Sequence, residues 1–478
     1  MVLVPKIRMN LSQKVVWNSV ASAGGRAVSS LLTLVIVGLL TRYLGKSGFG
    51  QYSTILAYVY IFSILSDLGL YAVNVREISR PEAQESKIAS NAFTLRFCSG
   101  LAFFSIGVAI AWLLPYDVLI KKGIFLASLG FWFLSNSQVL LGIFQKYLKL
   151  YKIALAEILC RFSQLGLVFL FVQNNLGFLA VVSAVAISGF IYFILVYYFA
   201  QRYIKVRLSF DFPFWFKLLK YSLPLAIASV FAMIYFKLDT VMLSLMKPAS
   251  HVGIYNLGYK ILESLTFFPH MIVGLAIPFM SKYAFTDKVK FFQVGQKVLD
   301  LFLVLVVPLI ISILFLSPAI INLLGGPNFI ASVNVLNILI LALGIIFFGA
   351  LFSNQLISLN KQNFLVWIYG LGALVNIILN LILIPKYSYY GAAFSTVLTE
   401  LLVTVLMYIF LYKTIKYWFS FKIIFKIILA ALVMVFVFYI LSAKELSLAF
   451  IFSILTYLII MNLFGGLNVL KKDLFLKH

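Results

Sequence analysis

The chain reads as fourteen apolar runs, each close to the roughly 20 residues a bilayer crossing needs, with no longer polar stretch between any two of them. In hydrocarbon the backbone polar groups of such a run must be satisfied within it, so each run is read as a helix. The approximate limits are 16–43, 49–71, 92–114, 122–144, 153–173, 177–199 and 218–245. The others are 252–281, 296–324, 330–358, 364–385, 391–413, 422–441 and 446–467. Composition agrees, with 63% hydrophobic and 11% charged residues, where a soluble chain is near half apolar. The expected class is an all-α, polytopic membrane protein with about 14 transmembrane helices.

The net charge of +24 raises the question of nucleic acid, but the basic residues lie in short loops between spans, which is a topology signal. About 26 of them fall on one set of loop ends and about 7 (Arg42, Lys46, Lys121, Lys122, Lys247, Lys386 and Lys444) on the other. The expectation is that both termini are cytoplasmic. Loops 72–91, 200–217, 282–295 and 414–421 go with the termini, and no nucleic-acid partner is expected. Cys98 and Cys160 fall in apolar spans and form neither a disulfide framework nor a CxxC site. No cleavable signal peptide is evident, because the first apolar run is too long and lacks a small-x-small site.

The chain also looks duplicated. Gly50-Gln51-Tyr52 opens the second span and Gly253-Ile254-Tyr255 the eighth. Gln138 and Gln145 end the fourth, Gln355 and Gln362 the tenth; Gly177 opens the sixth, Gly391 the twelfth. Each match joins one span to the sixth span after it. This predicts two six-helix lobes, residues 1–217 and 218–413, followed by two additional C-terminal helices in 414–478. Repeat-built transporters place their substrate between the lobes near mid-membrane.

Charges inside the spans carry the chemical information. Ser19, Ser22, Arg26, Ser29 and Thr33 recur at spacings of three and four, so they share one face of the first span. A charge at that depth costs several kcal/mol if it faces lipid, so the stripe is expected to line a wet cavity. Lys237 shares a face with Thr240 and Ser244, and Lys260 with Asn256, Glu263 and His270. Arg26, Lys237 and Lys260 are thus the candidate substrate-binding residues. A diphosphate suits them: arginine binds it by a bidentate fork and lysine as a point charge. The plainer reading is that Glu263 neutralises Lys260 and Asp239 pairs with Lys237 or with a neighbouring helix. Glu157 and Arg161, at i and i+4, are expected to form a structural pair. Glu400, on a face with Thr396 and Thr404, is the candidate ion-coupling carboxylate; Asp239, Glu263 and Asp67 are further candidates for coupling or gating. No Walker loop, HExxH, Ser/His/Asp arrangement or carboxylate pair stands out, so neither an enzyme nor a cofactor or metal site is expected.

Thr41-Arg42-Tyr43-Leu44-Gly45 with Phe49-Gly50-Gln51-Tyr52-Ser53 resembles the first-loop signature of bacterial polysaccharide flippases. These belong to the multidrug/oligosaccharidyl-lipid/polysaccharide exporter superfamily. Asp239 followed by Gly253-Ile254-Tyr255, Leu324-Gly325-Gly326 with Phe329 and Ala331, and Asn380 to Ile384 with Gly391-Ala392-Ala393 resemble later helix junctions of that family. The resemblance covers almost the whole chain. It implies the superfamily's MATE-like fold and movement of undecaprenyl-diphosphate-linked oligosaccharide, such as O-antigen or capsule repeat units, from the cytoplasmic to the outer leaflet. It also implies contact with membrane lipids and, as partners, a polysaccharide polymerase and a chain-length regulator. Lipid II flippases of the same superfamily carry an arginine in their first helix, which Arg26 resembles. Alternatives are an ion-coupled multidrug exporter of the same architecture, a lipid II-type flippase, and a membrane scaffold for a polymerase.

Overall fold

A 55-residue helix such as α1 (Leu11–Leu65) would run about 80 Å, far beyond the roughly 30 Å hydrocarbon layer. It is broken at Gly45, whose φ of 63° and ψ of −173° are non-helical. No atom lies within 4 Å of a Cβ built at Gly45, so conformation rather than crowding calls for glycine there. The break separates the first span from the second. In the same way α12 (Gln362–Ile415) is interrupted at Ser388, φ 53° and ψ −129°, three residues after Pro385. The second helix breaks again at Ser66–Gly69, where Leu68 and Gly69 are left-handed at φ 49° and 71°.

The computed structural model describes residues 11–80, 83–442 and 445–467, without the side chains of 11–17, 19, 20, 72 and seven positions between 224 and 235. Lys444, counted above among the loop cations, lies outside the described residues. After the break at Gly69 comes α2 (Leu70–Ile78), then α3 (Glu85–Leu113), α4 (Val118–Lys146), α5 (Leu150–Gln173), α6 (Phe178–Gln201) and α7 (Phe212–Met246). α8 (Ala249–Leu265) and α9 (Phe267–Tyr283) follow, then α10 (Lys288–Gly325), a short 3-10 turn (Pro327–Phe329) and α11 (Ser332–Ser358). After α12 come α13 (Ile423–Ser442) and α14 (Leu446–Leu463). Among the described residues, 11 helical segments are long and apolar enough to cross a membrane. The all-α, multi-span expectation holds. Two boundaries differ from it. The second span continues past its break as α2, and the eighth is divided at Thr266 into α8 and α9.

By packing, the chain divides into Met1–Gly253 and Ile254–His478, which groups α7 with the first unit. In that unit small residues set how closely helices approach. A Cβ on Gly189 of α6 would lie 2.6 Å from the Gly130 carbonyl oxygen of α4. One on Gly25 of α1 would lie 2.5 Å from Ala154 Cβ of α5. A Cβ on Gly50 would strike the Ala249 carbonyl, and one on Gly253 the Lys46 carbonyl. The two glycines read as repeat equivalents are therefore both close-approach positions. Phe93, Leu140, Phe144 and Val196 form the centre of an apolar core where α3, α4 and α6 meet. In the second unit α13 and α14 attach to α10: the Tyr457 hydroxyl donates to the Val304 carbonyl at 3.0 Å, and Phe438 stacks on Phe315 at 4.5 Å.

Candidate functional site

Arg26 lies in the apolar segment Ala21–Leu65 and is exposed. The residue before it, Gly25, seats α1 against Ala154 and so turns the arginine away from that contact. Arg26 makes no ion pair and no hydrogen bond among the described residues. It lies within electrostatic reach of Tyr71, which Asp67 also influences, and of Tyr192, which Glu157 and Arg161 also influence. Its electrostatic neighbours are thus ionisable and aromatic side chains. The rest of the stripe is uneven. Ser22 is half-buried, Ser29 is buried, and the Thr33 hydroxyl donates to the Ser29 carbonyl at 2.8 Å. The Ser19 side chain lies outside the described residues.

Glu157 and Arg161 do not form the expected pair. Arg161 instead donates to Oε1 of Gln164 at 2.9 Å. Gln164 is buried, and its carbonyl would otherwise lack a donor. Glu157, half-buried, is left facing the region that Arg26 shares through Tyr192.

Asp67 sits in the break before α2 and pairs with Arg96 of α3 at 3.2 Å. Arg96 has 0% exposure. It donates to the Ser135 carbonyl at 3.2 Å and hydroxyl at 2.5 Å, to the Ser63 carbonyl at 3.3 Å and to Gln138 Oε1 at 3.5 Å. Ser99 donates to the Ser66 carbonyl at 2.8 Å. The break therefore has its own polar anchor, because carbonyls released from the helix must find donors away from water. The sequence reading passes over Arg96. It lies in a span as Arg26 does, so the same rule would have found it, but nothing in the sequence pairs it with Asp67.

Lys237 lies over the Tyr60 ring, 5.5 Å from its centroid, and Tyr60 meets Phe131 edge-on at 6.2 Å. Along the same face Thr240 is buried and Ser244 shares a hydrogen bond of 2.8 Å with the Tyr116 hydroxyl. Asp239 is buried at 1% exposure.

In the second unit Lys260 pairs with Glu263 at 2.7 Å, with both side chains partly exposed. The neutralising reading of that pair is the one the geometry meets. Glu400 is buried at 4% exposure. It belongs to a polar seam inside α11 and α12: Asn380 donates to Asn376 at 3.1 Å, and Asn376 to Thr399 at 3.4 Å. Tyr369 lies within electrostatic reach of Glu400 and shares a hydrogen bond with Ser353, and Tyr255 shares one of 3.2 Å with Thr396. A Cβ on Gly349 of α11 would lie 2.9 Å from the Thr404 hydroxyl. The face of Thr396, Glu400 and Thr404 is thus a buried seam between packed helices rather than an open wall.

The chain matches the sequence profile of the family described as polysaccharide biosynthesis protein over residues 15–284, and that of MatE over residues 224–382. A curated relative, an uncharacterized membrane protein of Methanocaldococcus jannaschii, is 27% identical over 184 residues, which is 38% of this chain and 36% of that one. Solved structures share the fold at low identity. The lipid II flippase MurJ in an inward closed conformation matches with TM-score 0.76 and 18% identity, over 95% of this chain and 98% of that one. A multidrug resistance MATE family transporter, inward-facing, gives 0.67 and 14%, over 83% and 98%. A transporter of the same superfamily from Pyrococcus furiosus gives 0.59 and 13%, over 86% and 97%. The chain therefore belongs to the polysaccharide biosynthesis protein family and has the fold of the multidrug/oligosaccharidyl-lipid/polysaccharide exporter superfamily.

Proposed function

We propose that this protein is a flippase for lipid-linked oligosaccharide, carrying an undecaprenyl-diphosphate-linked unit such as an O-antigen or capsule repeat across the bacterial cytoplasmic membrane by alternating access. One observation carries the reading: an arginine at membrane depth, exposed, with no ion pair among the described residues. Keeping such a charge without a counter-ion costs several kcal/mol unless water or an anionic cargo faces it. A diphosphate is a good match, since its acceptor oxygens fit the guanidinium fork. Lys237 and Lys260 are the further cations we assign to the head group. Lys237 is held on an aromatic ring and Lys260 by Glu263, so each is oriented before cargo arrives. Glu400 and Asp239, both buried, are the proposed coupling carboxylates. Asp67 and Glu263 are committed to Arg96 and Lys260 and serve as positioning groups. The lobe division at 217 and 413, the cytoplasmic termini, and a polymerase and chain-length regulator as partners belong to the same reading.

The test is surface glycan in cells whose own flippase gene is deleted. Arg26→Ala is expected to abolish export at normal protein abundance, and Arg26→Lys to restore it only in part, because a point charge replaces a fork. Wild-type export by the alanine variant would remove Arg26 from the mechanism. The second reading, an ion-coupled exporter of cationic drugs, is favoured by the MatE match. Lys237→Glu separates the two: it should cripple transport of an anionic head group more than Lys237→Ala does, and should improve transport of a cation.

A further inference from the structure

The segment that joins α6 to α7 is not a slack loop. Residues 205–211 run extended along the first turns of α3, held by side chains one helical turn apart. The Ser86 hydroxyl donates to the Lys205 carbonyl at 2.6 Å. The amides of Arg207, Ser209 and Asp211 donate to Ser90, Thr94 and Asn91 at 3.0, 2.8 and 3.1 Å. Alternate residues of an extended chain point to opposite sides. Val206 is buried, while Leu208, Phe210 and, at the start of α7, Phe212 are outward and 58–66% exposed. Lys205 and Arg207 before them, and Lys217 and Lys220 after them, are exposed as well. The single acid, Asp211, is already held by Lys87 at 2.9 Å. That Lys87 bond and the Phe214 amide keep its carboxyl below the usual carboxylate range, so it stays ionised and committed.

The second unit repeats the device after its own last lobe helix. Gln296 of α10 brackets Ser420, accepting from its amide at 2.8 Å and donating to its carbonyl at 2.7 Å. Phe292 stacks on Tyr417 at 5.2 Å and meets the buried Phe419 at a tilt, 5.1 Å between centroids. Trp418, Phe421 and Phe425 are left 51–77% exposed. Lys413 and Lys416 before them and Lys422 among them are exposed, and residues 413–426 contain no acid.

We propose that these two clamped segments, 202–220 and 413–426, are interfacial straps that bind the anionic phospholipid headgroups of the leaflet each one faces. Exposed large aromatics at the ends of spanning helices belong at the headgroup level. Clusters of cations beside them attract anionic lipid at about 1 kcal/mol each, or about fivefold in affinity per cation at low salt. Clamping matters because a pre-ordered strap loses little conformational entropy when it settles on the surface. The charge balance selects the occupant: two stretches rich in lysine and arginine, with one acid between them and that acid paired.

The test uses the full-length protein in detergent micelles and in nanodiscs. Adding phosphatidylglycerol, but not phosphatidylcholine, should raise the melting temperature, and the rise should shrink at high salt. Inorganic phosphate is the control for a simple anion site, and an equal rise with it would overturn the proposal. The pair Lys205→Gln with Arg207→Gln, and separately Lys416→Asn with Lys422→Gln, should each weaken phosphatidylglycerol binding roughly 25-fold at low salt, as two lost cations predict. Asparagine is chosen at position 416 because the residue there is left-handed, φ 57°. A second readout does not depend on how the charge variants fold. Brominated phosphatidylglycerol in mixed nanodiscs should quench wild-type fluorescence more than brominated phosphatidylcholine at the same fraction, and Trp418→Phe should shrink that difference. Equal quenching by the two lipids, or unchanged binding by both charge pairs, would sink the idea.

Discussion

Arg96 and Arg26 are the same residue type in different spans, yet their surroundings are opposite. Arg96 has no exposure, one carboxylate and four oxygen acceptors around it, so its charge is consumed within the protein. Arg26 is exposed and has no such partner among the described residues, so its charge is available to something that is not protein. Breaking a buried pair by removing one member typically costs about 3–5 kcal/mol, because the other charge is stranded. Arg96→Leu is therefore expected to lower protein abundance and melting temperature sharply. Adding Asp67→Leu should recover part of the loss, since it removes the stranded carboxylate while the Ser63 and Ser135 acceptors stay unserved. Purified-protein melting curves for the two singles and the double decide it: strictly additive losses would mean that the pair is not coupled. Arg26→Ala should leave that melting curve nearly unchanged while, on the proposed function, abolishing export. The contrast shows how far sequence reaches at this scale. Periodicity finds a charge inside a span, but only packing shows whether a carboxylate from outside its own helix, as Asp67 is for Arg96, has taken it.

Between elements, the determining contacts are made by residues with almost no side chain. Gly189 and Gly130 let α6 and α4 touch backbone to backbone, as small residues do where lipid supplies no hydrophobic drive for helix association. A methyl at 189 would sit 2.6 Å from the Gly130 carbonyl oxygen, and neither backbone can yield without moving its helix. Gly189→Ala is expected to destabilise by about 1–3 kcal/mol, the usual cost of overpacking. At Gly166 of α5 an added methyl would meet nothing within 4 Å, and alanine there should be neutral or slightly stabilising because it favours helix. Thermal melts of the two alanine variants in one detergent would check the contrast, and equal shifts would remove close approach as the cause. The helices themselves are legible in the sequence, since each apolar run has the length and uniformity that a span demands. The breaks are legible only in part. Gly45 announces its turn, whereas Ser388 adopts a positive φ with no glycine to mark it, and Ser66–Gly69 interrupts a run that reads as one helix. The straps escape the sequence entirely, because their order comes from Ser86, Ser90, Thr94 and Gln296, polar residues that look like ordinary helix ends until the extended chain lying on them is seen.

For the molecule as a whole, the strongest regularity is the alternation of basic and poorly basic loops, and it yields a prediction that leaves no room for local adjustment. Cations resist transfer across the membrane during insertion, so loops rich in lysine and arginine stay cytoplasmic. Every span inverts the side of the next loop, and one miscounted helix would therefore reverse every loop after it. The breaks at Gly45 and Ser388 are what make the count work, since α1 and α12 must each supply two spans for the basic loops to keep falling on one side. Single cysteines test this in a background lacking Cys98 and Cys160, of which the second is buried and the first only partly exposed. Cysteine in place of Lys217 or Lys290 should resist a membrane-impermeant maleimide in intact cells and react once the membrane is permeabilised. In place of Lys122 or Lys386 it should react from outside. These four positions sample both units and both kinds of loop. Labelling of position 217 in intact cells would invert the first unit and undo the cytoplasmic assignment of the termini. Protection at 386 with labelling at 122 would instead mean that α12 crosses once, that Ser388 is a kink within a single span, and that the loops after it have the opposite address.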